Sequence, residues 1–272
     1  MLPIDLNGRY AVVTGVTSGI GAAIAEKLAL AGCNVAGCGL TQPESEGATA
    51  FIESVQKHGR SALYFQEDLS DPGGPAQFAG RAIQHWPRID ILISNAGRNV
   101  FKGVEACTES DWDMCMQLDL AAHWRIARAC LPALRKAESP VVQIISSNHA
   151  WNSIPGCFPY NVAKAGLIGL VQSLTIEWGP KIRTVGIAPG FIDTAGNQSW
   201  FDSFTDPQKE RGRTEALHPV GRIGSPGELG AFCAFLASSH AGFIAGTTLL
   251  VDGGRSALLQ DPAGEGSQVE KK

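Results

Sequence analysis

Tyr160 and Lys164 stand four residues apart, a spacing that puts both side chains on one face of a helix. A phenol with its ordinary pKa of about 10 is a poor base at neutral pH. An ammonium group beside it favours the phenolate and lowers that value. Such a pair can give a proton to, or take one from, an oxygen that changes between hydroxyl and carbonyl. Ser147, upstream at the end of an apolar run, can hydrogen-bond the same oxygen. A second group of residues suggests different chemistry. Residues 10–21 read YAVVTGVTSGIG, a strand pattern followed by Gly15, Gly19 and Gly21 and then by a helical pattern. Glycines there let the backbone turn tightly and approach a pyrophosphate. The N-terminus of the following helix offers it free N–H groups and a partial positive charge.

These groups need elements to position them. The strand candidates are 10–14, 34–38, 62–65, 89–94, 141–146, 183–187 and 247–251. They read as continuous apolar runs, the pattern of strands buried on both faces of a parallel sheet. Helical periods lie between them. Ile20, Ile24 and Leu28 recur every four residues, and Leu229, Phe232, Cys233 and Leu236 share one helical face. Helix starts are marked by Thr108 with Asp111, and by Ser225 with Pro226. Strand and helix in alternation imply right-handed crossovers. The expectation is an α/β fold, a single doubly wound Rossmann domain over 1–259 with a seven-stranded parallel sheet and helices on both faces. Residues 191–218 break the alternation and are expected to form a substrate lid, while 260–272 read as a flexible tail.

Composition narrows the function classes. The 272 residues are 44% hydrophobic and 18% charged, enough to bury a core and to exclude disorder for most of the chain. A net charge of −4 without a basic block argues against nucleic acid as a partner. No apolar run reaches the roughly 18 residues of a membrane span. The N-terminus carries no secretory pattern, so a cytoplasmic protein without a membrane partner is expected. Seven scattered cysteines without a C-x-x-C pair argue against both a disulfide framework and a metal site.

The glycine spacing, Thr14-Gly15-x-x-x-Gly19-x-Gly21, resembles the short-chain dehydrogenase/reductase family, and other landmarks follow in order. Asp68-Leu69 follows the third strand, and Ser94-Asn95-Ala96-Gly97 closes the fourth. Ser147 ends the fifth, Tyr160-x-x-x-Lys164 comes next, and Pro189-Gly190 with Ile192 and Thr194 follows the sixth. The nearest patterns are those of glucose 1-dehydrogenase-like and D-3-hydroxybutyrate dehydrogenase-like members. The resemblance implies an NAD(P)-dependent oxidoreductase. Tyr160 would be its general acid/base, Lys164 the modifier of that tyrosine and an anchor for the cofactor ribose, and Ser147 the orienter of the substrate. It implies that Gly15, Thr17, Ser18, Gly19, Ile20, Gly21, Gly39, Leu40, Asp68 and Leu69 contact the cofactor. So would Asn95, Ala96, Gly97, Tyr160, Lys164, Pro189, Gly190, Ile192 and Thr194. It also implies a homotetramer built on the helix containing Tyr160 and on the last strand.

One position departs from the family. Trp112-Asp113 is followed by Asp119 where members often carry an asparagine. An amide donates and accepts, whereas an ionised carboxylate only accepts. Asp119 is expected either to take the catalytic relay position as an acceptor, adding negative charge near Lys164, or to be one more solvated helix residue.

The cofactor expectation is NAD rather than NADP. Gly39-Leu40-Thr41 follows the second strand with neither an acidic nor a basic side chain, and Ser18 stands where many NADP users carry arginine. Candidate substrate contacts are Arg98, Asn99, Ser147, His149, Phe191 and Trp200. They suit a small polar secondary alcohol or ketone, a sugar, sugar derivative or polyol. The alternatives are a 3-oxoacyl-thioester reductase, a 3-hydroxy acid dehydrogenase, or an NAD(P)-sensing module without turnover.

Overall fold

Strands with apolar side chains on both faces can be satisfied only inside a sheet covered on both sides. The computed structural model, which describes residues 4–258, builds that arrangement. The strands are β1 (Tyr10–Thr14), β2 (Asn34–Gly39), β3 (Ala62–Gln66), β4 (Ile91–Ser94), β5 (Val141–Ile145), β6 (Arg183–Pro189) and β7 (Thr248–Val251). They form one seven-stranded sheet in the order β3-β2-β1-β4-β5-β6-β7, with every pair parallel. The order reverses between β1 and β4, and at such a switch point open α/β sheets bind ligands beyond their carboxyl ends.

Helices α1 (Gly19–Leu30), α2 (Glu46–Gln56) and α9 (Pro226–Ala237) cover one face. The core beneath them joins Val13, Ile24, Leu28, Phe51, Ile93, Ile187, Leu229 and Cys233. The other face is covered by α3 (Gly74–His85), α5 (Ala122–Leu134) and α6 (Tyr160–Trp178) over Val12, Phe78, Leu92, Ile126, Val142 and Leu167. Six of the seven cysteines are buried in free form, as small apolar residues, and Cys107 is half-buried. Thr108 and Ser225 each form the reciprocal cap that their spacing predicts, with Asp111 and Glu228.

Several strand ends lie one or two residues from the sequence expectation, and one segment holds unexpected helices. The fourth strand begins at Ile91 rather than at residue 89, although Asp90 still bonds to the strands beside it through its N–H and carbonyl. Residues 191–218 hold two helices, α7 (Ala195–Asp202) and α8 (Pro207–Ala216), capped by the Thr194 hydroxyl and the Asp206 carboxylate. The expected tail at 260–272 lies outside the described residues. No helix among those described is long and apolar enough to cross a membrane, and they contain no cluster of metal-ligating side chains.

Candidate active site

The turn after β1 and the turn after β4 are tied together. Thr14 Oγ1 accepts from the N–H groups of Asn95 and Ala96 at 2.8 and 2.9 Å, and Asn95 Nδ2 donates to the Thr14 carbonyl at 2.9 Å. Gly21 is dictated by contact, since a Cβ there would lie 2.0 Å from the Gly15 carbonyl oxygen. The N-terminus of α1 follows, and the Ser18 side chain does not cap it, in contrast to α2, α4 (Glu109–Met116), α7, α8 and α9. Its first turn also lacks an acidic residue, so the amide donors face outward without an internal acceptor. Thr194 stands beside this turn, 3.3 Å from the place of a Gly19 Cβ. That is the chemistry a pyrophosphate requires.

The edge of β2 is neutral. Leu40 is 66% exposed, and a Cβ on Gly39 would meet Thr17 Cγ2 at 2.8 Å and Tyr64 Oη at 3.1 Å. Tyr64 Oη donates to the Thr41 carbonyl at 2.7 Å. Asp68 is exposed and accepts from Ser70 through both its N–H and its hydroxyl, while Leu69 is buried. Pro189 ends β6, Gly190 N–H donates to Val251, and Ile192 is buried. Ile20 is half-buried against the α1 side of the core.

Between β4 and β6 the catalytic candidates converge. Tyr160 opens α6 and is 9% exposed; Lys164, one turn on, is 3% exposed with Nζ 5.4 Å from the Tyr160 ring. Ser147 follows β5, accepts from His149 N–H at 3.2 Å, and its hydroxyl acts to lower the Tyr160 pKa. Behind them, α4 runs into α5 through a π turn at Gln117–Ala121, an irregularity that often marks functional sites. Asp119 sits on it, fully buried, with Oδ1 3.2 Å from Lys164 Nζ. The same oxygen accepts from Arg98 N–H at 3.1 Å. Asp119 is therefore not a solvated helix residue. Gly97 walls off the pair: a Cβ there would lie 2.6 Å from Asp119 Oδ1.

The electrostatics differ from the simple expectation of a lysine lowering its tyrosine. Burial raises the Tyr160 pKa, Lys164 pulls it down and Asp119 pushes it back up, leaving it above the ordinary phenol value. Lys164 is opposed by its own burial, yet Asp119 and Tyr160 carry its pKa above the usual lysine value. His149 is lowered, first by burial and then by Arg255.

The substrate candidates are placed less tightly. Arg98 and Asn99 have exposed side chains after β4, and only the Arg98 backbone joins the cluster. The His149 ring lies 6.2 Å from the Tyr160 ring. Phe191 and Trp200 pack with tilted rings, centroids 5.6 Å apart, in a group with Phe201 and Phe204. Sequence reading missed Phe101, which is 43% exposed with its ring 5.3 Å from Tyr160 and 5.9 Å from His149. Its only sequence signal is an apolar residue soon after Asn95-Ala96-Gly97, whereas a bridge to Pro159 brings it to the site.

A family model described as "Enoyl-(Acyl carrier protein) reductase" matches residues 15–256. The human dehydrogenase/reductase SDR family member 4 is 34% identical over 93% of this chain and 90% of its own length. Glucose 1-dehydrogenase 2 of Bacillus subtilis is 32% identical over 92% of this chain and 95% of its own. Among solved structures, a short-chain dehydrogenase/reductase from Serratia marcescens superposes with a TM-score of 0.85 at 28% identity, covering 92% of this chain and 99% of that one. With that match running from the glycine turn to beyond the last strand, the chain belongs to the short-chain dehydrogenase/reductase family of NAD(P)-dependent oxidoreductases.

Proposed function

We propose that the enzyme interconverts a small polar secondary alcohol and its ketone, a sugar, sugar derivative or polyol, with Tyr160 as general acid/base. The observation that carries this reading is the meeting of Ser147, Tyr160 and Lys164 at one buried corner beside the glycine turn. The nicotinamide cofactor, when bound, supplies or accepts the hydride. The uncapped N-terminus of α1 and the Thr194 turn fit its pyrophosphate, and Lys164 fits its ribose hydroxyls. In oxidation Tyr160 Oη takes the hydroxyl proton as the carbon–hydrogen bond breaks; in reduction it returns that proton to the alkoxide oxygen. Ser147 Oγ holds the same oxygen in line. The neutral edge at Gly39, Leu40 and Thr41 favours NAD, because no cation there meets a 2′-phosphate.

His149, Asn99 and Arg98 support a hydroxylated substrate, and residues 191–218 are read as the lid that closes over it within one domain reaching residue 259. A homotetramer is the assembly we expect. A second reading, reduction of a ketone with an apolar substituent, is favoured by Phe101 against the Tyr160 ring. NADH formation should be measured on a panel of sugars, polyols, hydroxy acids and simple aliphatic alcohols. Polar substrates should exceed aliphatic ones, because buried polar groups left unpaired penalise the analogue lacking hydroxyls. A preference for apolar alcohols would install the second reading.

A further inference from the structure

Lys164 and Asp119 meet at 3.2 Å with almost no solvent at either side chain. Nothing in the hydride chemistry by itself asks for a carboxylate there. Its placement is nevertheless tightly fixed: the π turn presents it, Arg98 N–H donates to Oδ1, and Gly97 leaves no room beside the pair. Cys115 Sγ lies 3.9 Å from the other oxygen, Oδ2. A lone ammonium beside a phenol favours the phenolate, but an ammonium already paired with a carboxylate presents a dipole, whose field is weaker at the same distance.

We propose that Asp119 is the standing counter-ion of Lys164 and a positioning residue for the reaction, withholding the ammonium's charge from Tyr160 so that the phenol keeps its proton until the site is loaded. The inference rests on Tyr160 being the acid/base. The charged and titratable groups around the phenol come from every neighbouring element. Lys164 is on α6 and Cys157 just precedes it; Asp119 is on the π turn and Cys115 on α4. His149 follows β5 and is itself faced by Arg255. His123 on α5 is buried against Ser94 at 2.8 Å, and its pKa is far lowered by burial first and by Lys164 next, so it stays neutral. Of these, Lys164 draws the proton off Tyr160, whereas burial, Asp119 and Cys157 oppose it.

The chain has three tyrosines, Tyr10, Tyr64 and Tyr160, so the phenol can be read directly. Tyrosinate absorbance of the cofactor-free protein should be followed against pH, with Tyr160→Phe identifying the step that belongs to Tyr160. Asp119→Asn keeps an oxygen for Arg98 N–H and removes the charge. In it the Tyr160 step should move to lower pH by about one unit, and Asp119→Glu should hold it near the wild-type position. An unmoved or raised step in Asp119→Asn would overturn the proposal. A second readout avoids alkaline unfolding: the acid limb of the kcat profile for alcohol oxidation should move to lower pH in Asp119→Asn and stay in place in Asp119→Glu. An acid limb that does not move in Asp119→Asn contradicts the counter-ion role. A protein that oxidises no alcohol removes the functional reading, while the absorbance titration still decides the role of Asp119.

Discussion

Lys164 and Asp119 pair where water hardly reaches, whereas Leu40, at the edge where this family reads the adenosine ribose, leaves 66% of its surface in solvent. In the first region each charge depends on a named partner and a fixed wall, Gly97. In the second the side chains are neutral, and at Leu40 substitution disturbs little that is packed, whereas a Cβ on Gly39 would meet Thr17 and Tyr64. On the proposed reading, the chain thus places its proton chemistry where substitution changes stability and rate together. On the same reading its cofactor choice sits at Leu40, where substitution changes preference with little cost in stability.

The largest break in that contrast comes from Asp119→Ala. It leaves an ammonium buried without a counter-ion, and breaking a buried pair costs about 3–5 kcal/mol. Denaturant unfolding should show that loss. Leu40→Ala should stay within about 0.5 kcal/mol of the wild type. The sign with pH follows from Lys164, whose pKa is raised in the folded state. Its contribution is complete below the unfolded lysine value and disappears as pH rises through the folded one. The stability gap between wild type and Asp119→Ala should therefore narrow on the alkaline side. A gap that is constant across that range would remove the ion pair as its cause.

Smaller effects sharpen the comparison. His149→Ala should lower kcat/KM for the preferred polar substrate by about 10-fold, the scale of one lost hydrogen bond, and for a minimal alcohol by less. Equal losses on both would count against a polar substrate contact. Leu40→Arg should raise kcat/KM with NADP by about 10-fold through a charge-assisted contact to the 2′-phosphate, without loss of stability. A wild-type enzyme that already prefers NADP would show that the neutral edge does not select NAD. Gly39→Asp should have the smallest useful effect, because its Cβ meets Thr17 and Tyr64. Repulsion of NADP should emerge only when Thr17→Ser opens the space, as read by the ratio of NAD to NADP affinity.

The sheet was legible because strands covered on both faces must be apolar throughout, and the helix starts at Thr108 and Ser225 were legible because a cap is local. The helices in 191–218 were not, since α8 carries no apolar stripe; only its Asp206-Pro207 start could have signalled it. Ser147, Tyr160 and Lys164 lie near one another in sequence and could be grouped from spacing. The burial of Asp119 could not be read that way. It depends on a lysine from a distant helix and on a π turn with no local signature. The ring of Phe101 reaches Tyr160 through a bridge between distant segments, which periodicity does not encode.

The central claim is that Tyr160 moves the proton while most of the cofactor contacts are made elsewhere. Steady-state turnover of Tyr160→Phe, measured beside its NAD(H) dissociation constant by fluorescence, tests it most directly. The account predicts that kcat falls by about 100-fold or more, the usual scale of acid–base catalysis, with NAD(H) affinity little changed. Near-normal turnover in Tyr160→Phe would contradict it.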